Sequence, residues 1–263
     1  MLFKGKYSHL FLLLLLAGLN SSVVLAGSVG AAGPSFSYIP KVSLQLGGFW
    51  TTQGSRQHVD IDGLIGDQFS VRSGADSNGL VGVGLYWDGW TTAYADLSYG
   101  VNAFYLPHTS VSGYVTQENL FTNLAYSYSL TNWPIFFGGR ADIHTSFLNE
   151  SFLDNRIPSN ISITLDAGIG PNIINAYNFK EYSLDGGITI PDRIFQSHSS
   201  VAFSAMSGAG LKFHDLFNKA TLECGYRFFY LGQGNLSKAN TQVLNTLKTG
   251  DSYANAALCA ITI

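Results

Sequence analysis

A two-residue period recurs in separate blocks from Lys41 to the last residue, and it limits what this chain can fold into. In the block from Thr92 to Tyr105, one set of alternate positions is apolar and the other is mostly polar or glycine. The first set is Ala93, Ala95, Leu97, Tyr99, Val101, Ala103 and Tyr105, and the second is Tyr94, Asp96, Ser98, Gly100, Asn102 and Phe104. Because successive side chains of a strand point to opposite sides, this block predicts a strand with one apolar face and one polar face.

Two all-β architectures fit such strands. A soluble sandwich turns the apolar faces inward, whereas an outer-membrane barrel turns them outward to lipid and encloses the polar faces. Charged residues are only 12% of this chain and aromatic residues are 14%, while a soluble domain carries about 25% charged residues. No uninterrupted apolar run reaches the roughly 18 residues of a helical span. The composition therefore favours an all-β fold, a transmembrane antiparallel up-and-down β-barrel.

The first residues have the pattern of an export signal. Lys4 and Lys6 precede the apolar run Leu10–Leu16, and small residues end at Ala26 before Gly27. This predicts a secretory signal peptide at 1–26, cleaved near Ala26, then a lead segment at 27–40 and a barrel domain at 41–263. Without residues 1–26 the formal charge falls from −3 to −5, which argues against nucleic acid as a partner.

The period places most of the strands and loops. We expect strands at 41–51, 79–87, 92–105, 161–170, 201–213, 221–230 and 251–263, with Asp88-Gly89 as a two-residue hairpin turn. Long polar loops are expected at about 52–78, 107–119, 172–198 and 233–250, against short turns at Asp88-Gly89 and 214–219. Alternation of long loops with short turns is typical of outer-membrane barrels.

One stretch leaves the strand count open. The apolar positions are even-numbered from Leu120 to Leu130 and odd-numbered from Ile135 to His144, on either side of Trp133-Pro134. A bulge at the proline inside one strand would produce this change, and so would a turn between two strands. The first alternative predicts eight strands. The second predicts ten, with 178–190 completing the last pair, and we favour eight.

The two cysteines, Cys224 and Cys259, are too few for a disulfide framework. We expect two unpaired small thiols that face lipid or pack against neighbours. A disulfide across neighbouring strands is the alternative.

Three segments resemble a known family. They are Leu165–Gly170, Ser207–Phe213 and Glu223–Gly232, and they are similar to the fifth strand and the sixth-to-seventh hairpin of the OmpA-like, OmpX-like and opacity-type outer-membrane β-barrels. The resemblance covers nearly all of the chain after residue 26, and its motifs mark architecture more than activity. It implies an outer-membrane protein of a Gram-negative cell. Family members usually end on an aromatic residue that the barrel-insertion machinery reads, whereas this chain ends Ile261-Thr262-Ile263.

Several charged residues fall on the polar faces and are expected inside the barrel. They are Asp96, Arg140, Asp142, His144, Asp166, Lys212, Glu223 and Arg227. Since the interior of an eight-stranded barrel is only about wide enough for side chains, we expect a paired network that closes the lumen. The alternative is a narrow pore for small solutes, lined by these charges. Glu223 and Arg227 lie about 13 Å apart along the strand, so we expect each to pair with other strands and not with the other.

Aromatic residues on outward faces or near strand ends are expected to form girdles at the membrane surfaces. They are Trp50, Trp87, Trp90, Tyr105, Tyr226, Phe228 and Tyr230.

The family also contains lipid A deacylases, which use a His and a Ser two residues apart, as in His144-Thr145-Ser146. The same spacing occurs at His108 and His198, so an acyl hydrolase is the weakest alternative. We expect no enzyme activity, no cofactor and no metal site, although Asp60, Asp62 and Asp67 could offer oxygen ligands to calcium. The expected function is structural or surface-interacting, through the long loops. The expected partners of this monomer are outer-membrane lipid and lipopolysaccharide, the insertion machinery and a host or environmental surface ligand.

Overall fold

A computed structural model of the chain describes residues 39–145, 160–216 and 220–263. Thirteen strands lie in these ranges. They are β1 (Lys41–Thr52), β2 (Gln57–Val59), β3 (Asp67–Ser73), β4 (Ala75–Thr91), β5 (Ala95–Gln117), β6 (Phe121–His144), β7 (Ile161–Ser183), β8 (Phe195–Gln196), β9 (His198–Leu216), β10 (Ala220–Gly232), β11 (Asn235–Lys238), β12 (Leu247–Lys248) and β13 (Ser252–Thr262). Among the described residues, no helix has the length and apolarity needed to cross a membrane. The predicted signal peptide lies outside the described residues.

Eight of the strands form a closed antiparallel ring. The order around the ring is β4, β1, β13, β10, β9, β7, β6 and β5, and β5 pairs with β4 to close it. The expected eight-stranded barrel is therefore confirmed. We call the end that holds Lys41, Thr91 and Thr262 the lower end, and the end that holds Gln117 and Ser183 the upper end. At the upper end β2 and β3 extend the sheet along β5, and β8, β11 and β12 form a small separate sheet.

The strands alternate between buried side chains that face the interior and exposed apolar side chains that face outward. Leu46 is 56% exposed and Ile169 is 59% exposed. The large outward residues of this belt include Val42, Leu44, Leu46, Val83, Leu85, Leu97, Phe137, Leu165, Ile169, Ile173, Val201, Phe203, Leu211 and Ile261. From Ile161 to Ile173 the belt is about 30 Å high, after allowing for a strand tilt of about 40°. A continuous apolar belt of this height around a closed barrel is a membrane-spanning surface.

Above the belt the strands continue into a polar environment. On the outside, the Tyr177 hydroxyl lies 3.3 Å from His108 Nδ1 and 3.2 Å from Thr131 Oγ1. Two of the expected loops, 107–119 and 172–198, are shorter in the structure than predicted. Residues 107–117 belong to β5, which meets β6 through residues 118–120, and 172–183 belong to β7. These residues remain paired as strands because their inward side chains have an apolar core to pack against.

β6 is a single strand without the expected bulge at Trp133-Pro134. Its even-numbered residues face inward along its length, from Leu124 to Asp142. The bulge lies in β5 instead, at Pro107–His108, where the register with β6 shifts between Leu106 and Thr109. The apolar positions of β6 change from even to odd because its surroundings change: the apolar residues pack inside above the belt and face lipid within it.

The turn between β4 and β5 also differs from expectation. Asp88 and Gly89 lie within β4, and the turn is formed by 92–94. The Thr92 hydroxyl accepts a 2.9 Å hydrogen bond from the Ala95 N–H, and the Thr92 N–H donates to the Ala95 carbonyl at 2.9 Å. A threonine side chain that mimics a backbone turn therefore replaces the predicted Asp-Gly turn.

Cys224 and Cys259 form a disulfide on the outer face of the barrel, so the expectation of unpaired thiols is wrong. The register pairs them directly across β10 and β13, with their Cα atoms 4.1 Å apart. The expectation failed because a one-residue difference in register decides whether two facing cysteines meet, and the sequence does not fix that register.

The belt can be tested by placing a charge in it. We expect Ile169→Arg to lower the free energy of unfolding by about 2–4 kcal/mol, because the guanidinium would face hydrocarbon near the middle of the belt. Ser112→Arg is the matched control, since Ser112 faces outward on β5 above the belt, and it should change stability by about 0.5 kcal/mol or less. Urea unfolding in lipid vesicles measures both, and equal losses would contradict the belt.

Candidate functional site

The interior of the barrel holds all eight of the charged residues expected there. The structure brings them into three groups. The central group is Arg140, Asp166, Glu223 and Arg227, the second is Asp142 with Lys212, and the third, at the lower end, is Asp96 with His144. Both arginines and both carboxylates of the central group are buried.

Arg227 of β10 uses every part of its guanidinium. Its Nε donates to Asp166 Oδ2 at 2.9 Å, its Nη1 to Gln45 Oε1 at 2.9 Å, and its Nη2 to Glu223 Oε1 at 2.8 Å. The planar guanidinium holds its N–H donors in a fixed fork, which suits three acceptors arranged around it. Since Asp166 lies on β7 and Gln45 on β1, this one side chain connects strands on both sides of β10.

Arg140 of β6 completes the group from the other side of the barrel. Its Nη1 lies 2.9 Å from Glu223 Oε2, and its Nη2 donates to the Tyr86 hydroxyl at 2.7 Å. The Arg140 guanidinium carbon also lies 4.0 Å from the centre of the Tyr86 ring, which is a cation–π contact. The Tyr86 hydroxyl donates in turn to Asn102 Oδ1 at 2.5 Å.

The 2.8 Å contact between Arg227 and Glu223 overturns the expectation that these two residues do not pair. They lie four apart on one face of β10, and their backbones are separated as expected. Both side chains bend along the strand toward each other, and the length of arginine and glutamate together covers the gap. Glu223 also binds Arg140, so it serves both arginines.

A second pair lies one step lower. Lys212 Nζ donates to Asp142 Oδ2 at 2.6 Å, and the Thr164 hydroxyl donates to the other oxygen of that carboxylate at 2.7 Å. At the lower end, His144 Nε2 lies 2.9 Å from Asp96 Oδ2. A cavity of about 430 Å³ reaches from the lower rim up to Arg140.

Glycine at one interior position makes room for this network. A Cβ on Gly208 would collide with Asp166 Oδ1. The Ser207-Gly208-Ala209-Gly210 segment on β9 thus leaves space for a carboxylate that its neighbour β7 directs into the lumen. A substitution at Gly208 would displace Asp166 from Arg227.

Above the charges, aromatic rings fill the barrel. The ring centres of Phe104 and Phe229 are 5.2 Å apart, and Phe136 lies 5.7 Å from Phe229. Phe104 and Phe229 are fully buried. They come from β5 and β10, which are four positions apart in the ring of eight and therefore face each other across the lumen. Rings from opposite walls therefore meet at this level.

A second apolar cluster, which includes loop residues, lies at the upper end. Phe69 of β3 packs against Tyr126 of β6 at 5.1 Å and against Phe195 of β8 at 5.8 Å between ring centres. The buried residues of this upper cluster are Val59, Phe69, Val111, Val115, Leu124, Tyr126, Tyr128, Leu130, Ile174, Ala176, Phe179, Ile194, Phe195, Leu236, Val243 and Leu247. The loops thus form a packed cap.

The expected girdle residues occupy different heights on the outside. Trp50, Tyr105 and Tyr230 lie near the upper edge of the belt, and Trp87 and Trp90 lie near its lower edge. Tyr105 contacts Trp133 at 4.2 Å, and Trp87 stacks on Tyr99 at 6.0 Å. Tyr226 and Phe228 lie between the edges, and the Tyr226 hydroxyl bonds to Asn255. The sequence analysis missed Trp133 and Tyr253, which lie beside Tyr105 and Tyr230.

The remaining candidate sites lie only partly among the described residues. Ser146 lies outside the described residues, and the Thr145 hydroxyl donates to the Ile161 carbonyl at 2.7 Å. Within the described ranges, no three His, Cys, Asp or Glu side chains are placed to hold a metal ion. Asp60 and Asp62 lie in the β2–β3 connection, where backbone groups of both bond to the 242–244 segment.

Sequence analysis also missed the neutral partners of the charges. Gln45, Tyr86 and Asn102 were on the faces expected to point inward, but only charged residues were selected. Gln45 Nε2 donates to Asn102 Oδ1 at 2.8 Å, and the Gln45 carbonyl accepts from Arg227. The signal in the sequence was their position on the inward faces, because a polar side chain that is buried in so narrow a barrel needs a partner.

Comparisons with known proteins give only structural neighbours of low sequence identity. No protein-family model and no curated protein sequence matches the chain. Among solved structures, it is similar to the outer membrane protein OprG of Pseudomonas aeruginosa, at 11% identity over 86% of this chain and 96% of that one, with a TM-score of 0.46. The outer membrane protease OmpT of Escherichia coli matches at 9% identity over 87% and 97%, with a TM-score of 0.44. Neisserial surface protein A matches at 9% over 84% and 96%, with a TM-score of 0.38. The names differ in activity, so the likeness assigns none.

The central charge group can be tested by removing one guanidinium. We expect Arg227→Met to lower the free energy of unfolding by about 3–5 kcal/mol, because Asp166 and Glu223 would stay buried with one fewer cation. Lys41→Met is the control. The distance from Lys41 Nζ to Asp88 Oδ1, 2.6 Å, is no longer than the 2.8 Å from Arg227 Nη2 to Glu223 Oε1. Because the Lys41 side chain is 53% exposed, its loss should cost about 1 kcal/mol or less. Unfolding in urea compares the two, and equal effects would contradict a buried network.

Proposed function

We propose that this protein is an integral outer-membrane barrel with a closed lumen, which acts through the surface at its upper end. The observation that carries the proposal is the contact between Phe104 and Phe229 across the full width of the barrel. The charge network lies below this contact and the upper cluster lies above it. A solute would therefore have to displace three packed layers.

The proposed orientation follows from the two ends of the barrel. Outer-membrane barrels have short turns on the periplasmic side and longer loops outside. By the strand bounds, the lower end has connections at 92–94, 145–160 and 217–219. The upper end has the short 118–120 and also 53–74, 184–197 and 233–251, which carry β2, β3, β8, β11 and β12; 53–74 and 233–251 are the two longest connections of the barrel. We therefore place the upper end outside the cell, facing lipopolysaccharide and surface ligands, and the lower end in the periplasm.

A second candidate function, a pore for small solutes, has one observation in its favour. The cavity of about 430 Å³ at the lower end gives solutes access to Lys212 and Arg140. The cavity ends at the aromatic layer, however, so we propose that it is a vestibule and not part of a channel.

Catalysis is not part of the proposal. Ser162 Oγ lies 2.5 Å from His214 Nε2, which is the spacing of a nucleophile and its base. Ser162 faces the interior and is buried, so its hydroxyl cannot reach an acyl chain in the surrounding lipid. Lipid A from cells with and without the protein should therefore carry the same acyl chains.

The closed lumen can be tested by conductance. Because packed side chains fill the barrel at three levels, we expect the purified protein in planar lipid bilayers to give no steady channel openings. A porin reconstituted in the same way is the positive control. Steady unitary currents from a folded sample would contradict the closed lumen and favour the pore.

The orientation can be tested with an epitope tag. We expect a tag between Gly186 and Gly187 to bind antibody on intact cells, because both residues are exposed and a side chain at either would meet no other atom within 4 Å. The matched control is a tag in the 92–94 turn, which should bind antibody only after permeabilisation. The reverse pattern would overturn the proposed orientation.

A further inference from the structure

A cavity of about 390 Å³ opens at the upper end of the barrel. It lies between the β2–β3 connection, the β5–β6 turn, the end of β7 and the segments near 190–194 and 240–243. Its floor is formed by Leu124, Ile194 and Val243, which belong to the upper cluster. Because buried residues of that cluster lie beneath it, we treat the cavity as a surface site.

The rim of the cavity is apolar and exposed. Leu64, Leu120, Phe121 and Ile190 line it and are 61%, 71%, 66% and 79% exposed. They lie above the belt, on the part of the molecule whose outer surface is polar. Large apolar side chains grouped around one opening are typical of a binding surface.

Four carboxyl groups line the same cavity. They belong to Asp67, Glu118, Glu181 and Asp192, and the described lining includes no Lys, Arg or His. Asp67 Oδ1 accepts from the Glu118 N–H at 3.3 Å, and Glu118 Oε2 accepts from the Ile65 N–H at 3.0 Å. Glu118 Oε1 is shielded from solvent and has no hydrogen-bond donor within the described part of the chain.

The carboxyl groups interact unfavourably with one another. Burial, together with the charges of Asp192 and Asp67, raises the pKa of Glu181 to about 8, against a hydrogen bond from the Asp192 backbone that lowers it. Burial also raises the pKa of Asp67, and the Glu118 charge adds to this, while His58 opposes it. At neutral pH the cavity therefore holds a proton that a bound cation would displace.

We propose that this cavity binds a hydrophobic organic cation, an ammonium group attached to an apolar chain or ring. The ammonium would pair with Glu181 and the carboxylates whose charges it feels, Asp192 and Asp67, and the apolar part would cover the exposed rim. A hydrophilic polyamine would leave the rim exposed, and an apolar alcohol would leave the carboxylates without a counter-charge. The inference rests on the proposed function, since it takes the upper end as the ligand-binding end.

The test uses the full-length protein in lipid nanodiscs, with 2-phenylethylammonium as the probe. We expect calorimetry to give an affinity for this cation at least about tenfold above that for 2-phenylethanol, because only the cation brings a counter-charge to the carboxylates. Addition of 3-phenylpropionate should give no binding. Equal affinities for the cation and the alcohol would overturn the proposal.

Variants separate the two halves of the site. The double variant Glu181→Gln with Asp192→Asn should weaken cation binding by about tenfold or more, and Leu120→Ser with Phe121→Ser should weaken binding of the cation and of the alcohol. Asp251→Asn is the control, because Asp251 is an exposed carboxylate at the upper end that does not line the cavity. Altered gel mobility on heating checks that each variant is folded. Unchanged binding in the folded carboxylate variant would contradict the site.

Proton release gives an independent readout. Glu181, with a pKa of about 8, is mostly protonated at pH 7 before binding, and the cation favours its ionised form. Binding should therefore release protons at pH 7, strengthen as the pH rises through 8, and release none above about pH 9. Calorimetry in buffers of different ionisation enthalpy measures this release, and its absence at pH 7 would contradict a role for Glu181.

The two proposals can fail separately. Cation binding in nanodiscs together with a buried tag at 186–187 on intact cells would overturn the outward orientation and leave the site intact. An accessible tag without cation binding would overturn the site alone.

Discussion

Closure of the ring of eight strands is the constraint on which the other features depend. Within hydrocarbon every backbone N–H and C=O needs a partner in the protein, and the pairing of β5 with β4 and of β1 with β13 leaves no open edge in the belt. Closure also fixes the inner width, which is only enough for packed side chains. Above the cavity at the lower end, inward residues therefore meet residues from other walls, and the charge network and the aromatic layer are two forms of that contact.

The two layers differ in what they contribute. The contacts among Phe104, Phe136 and Phe229 contribute apolar packing that needs no directional bonds. Arg140 and Arg227 bring a cost of desolvation, which their carboxylate and neutral partners offset. What the arginines add is specificity, because forked donors that span β1, β7 and β10 are satisfied in one register of those strands. We regard the network as fixing the register of the strands, in a barrel whose upper part is already filled by apolar packing.

Much of this arrangement follows from alternation alone. The faces of β7, β9 and β10, the eight strands and the inward charges were predicted, because the period of two survives any error in the ends of a strand. Alternation does not reveal which face meets apolar surroundings. On β6 the apolar side chains of Tyr126 and Tyr128 face the interior, and those of Ile135 and Phe137 face lipid, although the backbone does not change phase. The register between neighbouring strands was the second feature that could not be predicted, since nothing in the sequence shows whether Cys224 lies opposite Cys259.

The packed cap has a consequence for how the outer surface can change over time. Loops of many barrels hang free and tolerate replacement, but here Phe69, Phe195 and Leu236 come from loop segments and are buried. A substitution at these positions would unpack the cap. On the proposed orientation, antibodies or phages that select for new surface variants have few positions to act on, mainly exposed tips such as Ile188. Escape from such recognition would proceed by changes at the tips, while the architecture beneath them is held constant.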